Sequence, residues 1–208
     1  HFDVLILGTG YAGATAAIQL RQLGYTGSIA LVGEEPCLPY ERPPLSKEYL
    51  AGARSADDIL VRPATFWSER AITLVPGERV EAIEPGTRRV RCSSGSFYGY
   101  GELVWTAGGR ARGLPGAHVI RSLADVDALR PEVARANRVL VIGAGYIGLE
   151  AAAVLVKLGK QVTLTEAADR VLARCVPEPL SRFLEAEHRT HGVDVRLNAL
   201  QTDPSSFD

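Results

Sequence analysis

Residues 2–13, FDVLILGTGYAG, and residues 138–148, RVLVIGAGYIG, decide how this 208-residue chain folds. In each, a short apolar, β-branched run ends on a glycine, the pattern of a strand buried on both faces of a sheet. Stretches rich in Ala and Leu with helical spacing follow, from Tyr11 to Leu23 and from Tyr146 to Leu158, stopped by Gly24 and Gly159. A second apolar run comes next, Ser28 to Val32 in the first case and Gln161 to Thr165 in the second. Strand, helix and strand in about 30 residues make the βαβ unit of a parallel sheet, with a right-handed crossover. The plan occurs twice, Gly143 standing where Gly8 stood.

Between the two plans the pattern changes. ITLVP, ERVEAIEP, RRVRCSSG and ELVW, within residues 72–105, are short β-rich runs broken by Pro76-Gly77, Pro85-Gly86 and Gly95. They predict a small antiparallel excursion and a return strand. Gly108, Gly109, Gly113, Pro115 and Gly116 then crowd into an irregular crossing segment, the natural place for a domain boundary. After the second βαβ unit, Pro179 to Thr190 predicts a helix and Val193 to Leu197 a strand, while the tail QTDPSSFD is polar and turn-like.

Composition excludes several classes. Apolar residues are 46% and charged residues 23%, an ordinary globular balance rather than a disordered one. Basic and acidic side chains number 23 and 24, so no global field gathers nucleic acid or an anionic membrane. No apolar run approaches a membrane span. Cys37, Cys92 and Cys175 lie far apart, with no metal spacing and no disulfide framework, which suits a reducing cytoplasm. His188 and His191, near Glu185 and Glu187, read as helix-end charges rather than a metal site.

The glycines carry chemistry. In Gly8-Thr9-Gly10-Tyr11-Ala12-Gly13 the first glycine allows a sharp turn, and the second leaves the backbone bare for a pyrophosphate at the helix N-terminus. The third lets helix and strand pack closely. Glu34, 21 residues after Gly13, falls at the end of the second strand, where a carboxylate can accept both ribose hydroxyls. Gly143-Ala144-Gly145-Tyr146-Ile147-Gly148 repeats the device with Glu166, an acid that binds a 2′-hydroxyl and repels a 2′-phosphate. NAD(H) is therefore expected over NADP(H), tempered by Arg170 and Arg174 nearby. Two dinucleotide sites in one chain imply electrons passing between one resident redox cofactor and one exchangeable hydride donor. A third feature, Tyr40-Glu41-Arg42-Pro43-Pro44-Leu45-Ser46-Lys47, is a proline-stiffened loop that aims Arg42 and Lys47 at an anionic or electron-rich group.

YERPPLSKEYL after an N-terminal GTGYAG closely resembles the ferredoxin reductases of bacterial oxygenase systems, as do VIGAGYIGLE at 141–150 and TEAADRVLAR at 165–174. The resemblance runs from Phe2 to about Ala199. It implies an α/β fold of two Rossmann-like FAD/NAD(P)-binding domains of the glutathione-reductase type, each a parallel sheet with helices and a small antiparallel excursion. Residues 1–112 would form the first half of an FAD-binding domain and 113–208 an incomplete NADH-binding domain. Carried over by position, FAD would be held by Gly8, Gly10, Ala12, Gly13, Glu34, Arg42, Lys47, Val80, Gly108 and Arg121. NAD(H) would be held by Gly143, Gly145, Ile147, Gly148 and Glu166. Lys47 and Glu150 would pair beside the flavin as the catalytic residues, and no metal is implied.

In the implied reaction NADH passes hydride to FAD, a step served mainly by close alignment, and single electrons then go to a [2Fe–2S] ferredoxin. The lack of a close thiol pair fits this reading, since disulfide-using relatives need one beside the flavin. Two rivals share the fold. An NADH oxidase or peroxidase would want a reactive cysteine, for which Cys37 is the candidate; a flavin-bound signalling protein similar to apoptosis-inducing factor would want a basic surface. Where the family shows A-T-G-G, this chain has Thr106-Ala107-Gly108-Gly109, so only the glycine turn is carried over. The family chain is also longer, and this one reads as an incomplete piece, with weak or no activity alone.

Overall fold

The computed structural model describes residues 1–199 and contains two compact units, one of residues 1–42 and 56–110, the other of 43–55 and from 111 onward. The turn-like reading of QTDPSSFD falls outside the described residues.

In the first unit, β1 (Phe2–Leu7) is one of the two middle strands of a six-stranded sheet. Its apolar run puts Val4 to Leu7 almost wholly out of solvent. The chain then enters α1 (Tyr11–Gln22), whose small residues Gly13, Ala14 and Ala17 form the buried face. Gly24, at φ +82°, ends the helix in the left-handed region that L side chains avoid. β2 (Ile29–Gly33) returns parallel to β1 with Val4 opposite Ile29, and β3 (Ile72–Pro76) lies parallel on its outer side. The far flank is the antiparallel excursion: β4 (Val80–Glu84), β5 (Arg89–Cys92) and the long β6 (Phe97–Trp105), giving the order β3-β2-β1-β6-β5-β4.

β6 serves both halves of this sheet. Its first residues pair antiparallel with β5, Gly99 opposite Arg89, and its last pair parallel with β1, Leu7 opposite Trp105. The sequence showed only ELVW of this strand, because Gly99 and Gly101 interrupt the alternation. Gly101 is there for closeness: a Cβ on it would meet the Asp3 carbonyl oxygen at 2.8 Å. A short helix, α2 (Ala64–Glu69), was not foreseen; it follows Pro63 and buries Trp67 edge-on to Phe66.

The second unit holds β7 (Arg138–Ile142), β8 (Gln161–Thr165) and β9 (Val193–Arg196), all parallel in the order β7-β8-β9. Among the described residues this sheet has no antiparallel excursion; that feature belongs to the first unit. Connecting helices are α4 (Tyr146–Lys157), with Leu149, Ala151, Ala152 and Leu155 buried, and α5 (Glu178–Thr190). Between Trp105 and Leu123 the chain has no regular element, as the crowded glycines predict.

The helix preceding β7, α3 (Leu123–Arg135), escaped the sequence reading although its signal was present. Ser122 Oγ accepts the Asp125 N–H while the Asp125 carboxylate accepts the Ser122 N–H, a reciprocal cap. Pro131 inside the pattern disguised it.

Candidate functional site: two glycine turns and a lysine–glutamate pair

The first glycine turn joins β1 to α1. Gly8 sits at φ +113°, and a Cβ there would lie 2.3 Å from the Thr106 carbonyl oxygen. Gly13 is equally confined, its virtual Cβ 2.1 Å from the Gly8 oxygen, whereas a Cβ on Gly10 would meet nothing within 4 Å. Two glycines are thus required by the protein itself. The third leaves bare backbone at the start of a helix, where amides and dipole favour an anion. Ala12 is exposed on the same first turn.

One residue that sequence reading set aside holds this turn. Thr106 Oγ1 donates to the Leu7 carbonyl at 2.9 Å and lies 3.3 Å from that of Gly8, and its own N–H donates to Leu7. The threonine that seemed displaced from its motif is therefore the clasp of the first turn, at the end of β6.

The charged residues of the first unit are more engaged than the sequence suggested. Glu34 leaves β2 with its carboxylate on Arg110 Nη2, at 2.8 and 3.0 Å, and Arg79 lies 4.0 Å away. Its side chain remains about half exposed. Arg42 is ion-paired to Glu35, a residue not singled out from sequence, and Tyr40 donates its hydroxyl to the same carboxylate. The Arg42 guanidinium also stacks 5.3 Å from the Tyr40 ring centroid. Val80 opens β4 opposite Cys92, and Gly108 takes φ +67° just beyond Thr106. Burial, with Glu35 beside it, pushes the Cys37 thiol up, so a nucleophilic thiolate there is disfavoured.

The second glycine turn follows the same plan, except that a Cβ on its first glycine, Gly143, would meet nothing within 4 Å. Gly143 sits at φ +98°; a Cβ on Gly148 would lie 2.0 Å from the Gly143 oxygen, and one on Gly145 would meet nothing within 4 Å. Ile147 and Tyr146 stand about half exposed on the opening turn of α4. The acid behaves differently from Glu34. Glu166 Oε2 accepts the Ala144 N–H at 2.8 Å and Oε1 accepts the Ala168 N–H at 2.9 Å. Arg170 is spent on the carbonyls of Val176 and Ala173, so it is not poised for a 2′-phosphate; Arg174 is exposed.

The predicted pair is formed within the second unit. Lys47 Nζ lies 2.9 Å from Glu150 Oε1, both side chains about one-third exposed. A third member went unrecognised: Ser46 Oγ donates to Glu150 Oε2 at 2.6 Å. Arg121 is half-buried just before the cap of α3. A groove of about 560 Å³ in this unit is lined by Leu50, Arg130, Pro131, Leu158 and Lys160 among others, and by none of the predicted site residues. His188 hydrogen bonds the Leu184 and Leu149 carbonyls, and no group of three or more potential metal ligands occurs among the described residues. Nor is any described helix long and apolar enough to cross a membrane.

The family model described as pyridine nucleotide-disulphide oxidoreductase matches residues 2–203. A ferredoxin–NAD(P)(+) reductase of Sphingomonas sp. is 55% identical over 204 residues, 95% of this chain and 49% of that protein. The ferredoxin reductase subunit of a 5,5′-dehydrodivanillate O-demethylase from Sphingobium sp. is 54% identical, covering 95% of this chain and 50% of its own length. The reductase in a covalent putidaredoxin reductase–putidaredoxin complex superposes with a TM-score of 0.90 at 40% identity, over 96% of this chain and 50% of that one. The chain spans about half the length of the curated relatives it matches.

Proposed function

The chain belongs to the pyridine nucleotide-disulphide oxidoreductase family, and from that premise we propose that it is part of an FAD-containing, NADH-dependent ferredoxin reductase. The observation that carries this reading is the duplicated glycine turn. In both copies the first glycine takes a positive φ, Gly8 at +113° and Gly143 at +98°, and the last, Gly13 or Gly148, is demanded by backbone closeness, while the middle one, Gly10 or Gly145, faces open space. A dinucleotide pyrophosphate is the ligand that uses such bare backbone at a helix N-terminus. The residues present therefore fit two dinucleotides.

We assign residues 1–112 to FAD binding and 113–208 to NADH binding. Gly8, Gly10, Ala12, Gly13, Glu34, Arg42, Lys47, Val80, Gly108 and Arg121 serve the flavin nucleotide; Gly143, Gly145, Ile147, Gly148 and Glu166 serve NADH. Bound FAD supplies two-electron uptake from NADH and one-electron release, which no side chain can. The protein's own part is to hold and orient. Glu34 has lone pairs beyond those used by Arg110, and its half-exposed carboxylate is available to ribose hydroxyls. The Lys47–Glu150 pair keeps an ammonium in one place without burying it. The acceptor we propose is a [2Fe–2S] ferredoxin of an oxygenase system, in line with the names borne by the relatives. A cytoplasmic setting is proposed from the thiols: Cys175 is free and exposed, which suits a reducing compartment.

The test uses the full-length, FAD-loaded protein. NADH is mixed in stopped flow, and a [2Fe–2S] ferredoxin with cytochrome c as final acceptor is then offered. Rapid flavin bleaching followed by ferredoxin-dependent cytochrome reduction is expected. Rapid bleaching without ferredoxin-dependent cytochrome reduction, the reduced flavin being reoxidised by oxygen alone, would replace this reading with an NADH oxidase.

A further inference from the structure

We propose that Ser46 is a positioning residue that sets the orientation of Glu150, and through it Lys47, for work at the flavin; this rests on the function proposed above. Ser46 is only 3% exposed, yet its hydroxyl is a polar group that burial leaves costly unless partnered. Its partner is a carboxylate 104 residues away in sequence, at 2.6 Å. A bond from a hydroxyl to an ionised acceptor is shorter and stronger than a neutral one.

The geometry explains why the hydroxyl stands where it does. Pro43, Pro44, Leu45 and Ser46 form a single 3-10 turn, braced by the Lys47 and Tyr49 N–H groups, both donating to the Pro44 carbonyl. Two prolines fix their own backbone angles. Ser46 and Lys47 are thus adjacent residues on a stiff support, one buried and one half-exposed, and both reach the same carboxylate. Glu150 lies on α4, where several staggered rotamers are open to a partly exposed glutamate. Ser46 takes Oε2 and leaves Oε1 turned to Lys47 Nζ. Lys47 Nζ also donates to the Pro43 carbonyl at 3.3 Å, a second partner for the ammonium. Without the serine, the carboxylate is free to rotate into solvent and the ammonium loses its fixed counter-charge.

The experiment is made in the full-length holoprotein with Ser46→Ala, Ser46→Thr and Glu150→Ala, singly and with Ser46→Ala combined with Glu150→Ala. The first readout needs no turnover. Lys47 acetylation is timed by mass spectrometry, with Lys157 and Lys160 as internal references. Ser46→Ala should raise the Lys47 rate severalfold relative to those references. The second readout is single-turnover flavin reduction: the limiting rate should fall about tenfold while the NADH concentration for half-saturation stays within about twofold. Ser46→Thr should restore both readouts, and Ser46→Ala should add nothing once Glu150 is alanine. A Ser46→Ala protein that loses thermal stability but keeps wild-type Lys47 reactivity and limiting rate would overturn the proposal, leaving Ser46 as a packing residue. If Ser46→Ala is silent while Glu150→Ala is impaired, only the serine's role falls. If the wild-type flavin is not reduced by NADH, the functional reading falls with it.

Discussion

Glu166 Oε2 accepts the backbone N–H of Ala144 at 2.8 Å, so the acid that leaves β8 braces the glycine turn it faces. Its other oxygen holds the Ala168 N–H. An acid expected only to meet a ribose is therefore also structural. Glu166→Ala should lower stability by about 1.5–3 kcal/mol, the scale for hydrogen bonds to a charged group, measured by chemical unfolding. In the full-length enzyme the preference for NADH over NADPH should drop by roughly the tenfold that one such bond is worth. An unchanged ratio of kcat/KM values would show that the carboxylate does not discriminate between them.

The two kinds of glycine should separate cleanly. Gly13→Ala and Gly148→Ala place a Cβ within 2.1 Å of a backbone oxygen, and each should cost at least the ~1–3 kcal/mol of an overpacked core. Gly10→Ala and Gly145→Ala meet nothing within 4 Å and sit at φ values of −75° and −78° that alanine tolerates. They should leave thermal stability of the unliganded protein nearly intact and weaken nucleotide binding at their own turn. Calorimetric titration with FAD and NADH, beside thermal melts, checks both halves.

Removing the Thr106 hydroxyl tests the clasp. Thr106→Val should destabilise the protein by about 1 kcal/mol, since it removes the donor to Leu7 and leaves the shape nearly unchanged. A urea midpoint indistinguishable from wild type would mean that the backbone bond from Thr106 N–H suffices.

Lys47→Met and Glu150→Gln should separate function from stability. The pair is about one-third exposed, so its contribution to folding is at most ~1 kcal/mol. Flavin reduction by NADH should nevertheless slow by about tenfold or more. A pair that matters only for folding would give the reverse pattern.

The thiols should react in order of exposure. Cys175 is exposed, Cys37 half-buried, and Cys92 fully buried with its thiol pushed up to about 11 by burial, assisted by Glu78. At pH 8, Ellman's reagent should label Cys175 first and Cys92 only on unfolding. Because the folded thiol titrates above the ordinary 9.0, the stability it confers is complete below pH 9 and is lost as pH rises toward about 11. A Cys92 that labels as fast as Cys175 in the native protein would contradict its burial.

Much of the fold was legible because its signals are local. Six residues of β1 and five of β8 match the apolar runs read from sequence residue for residue, and the helix stops fall at glycines with positive φ. What escaped was disguised or non-local. Pro131 hid α3, Gly99 and Gly101 hid half of β6, and α2 is too short to show a period. Among candidate site residues, Lys47 and Glu150 come together as the family resemblance implied, while Glu35 and Arg110 had no sequence signal of their own, and the motifs that contain Ser46 and Thr106 did not show what those hydroxyls hold.

Two strand–glycine–helix turns, their acids and their helices follow from the chain order alone, because a turn and its flanking periodicity are set by residues within a few positions of one another. Which carboxylate oxygen faces Lys47, which arginine occupies Glu34 and which hydroxyl clasps the first turn join residues 103, 76 and 99 positions apart, respectively. Such pairings depend on where packing brings distant side chains, and only the tertiary structure decides them.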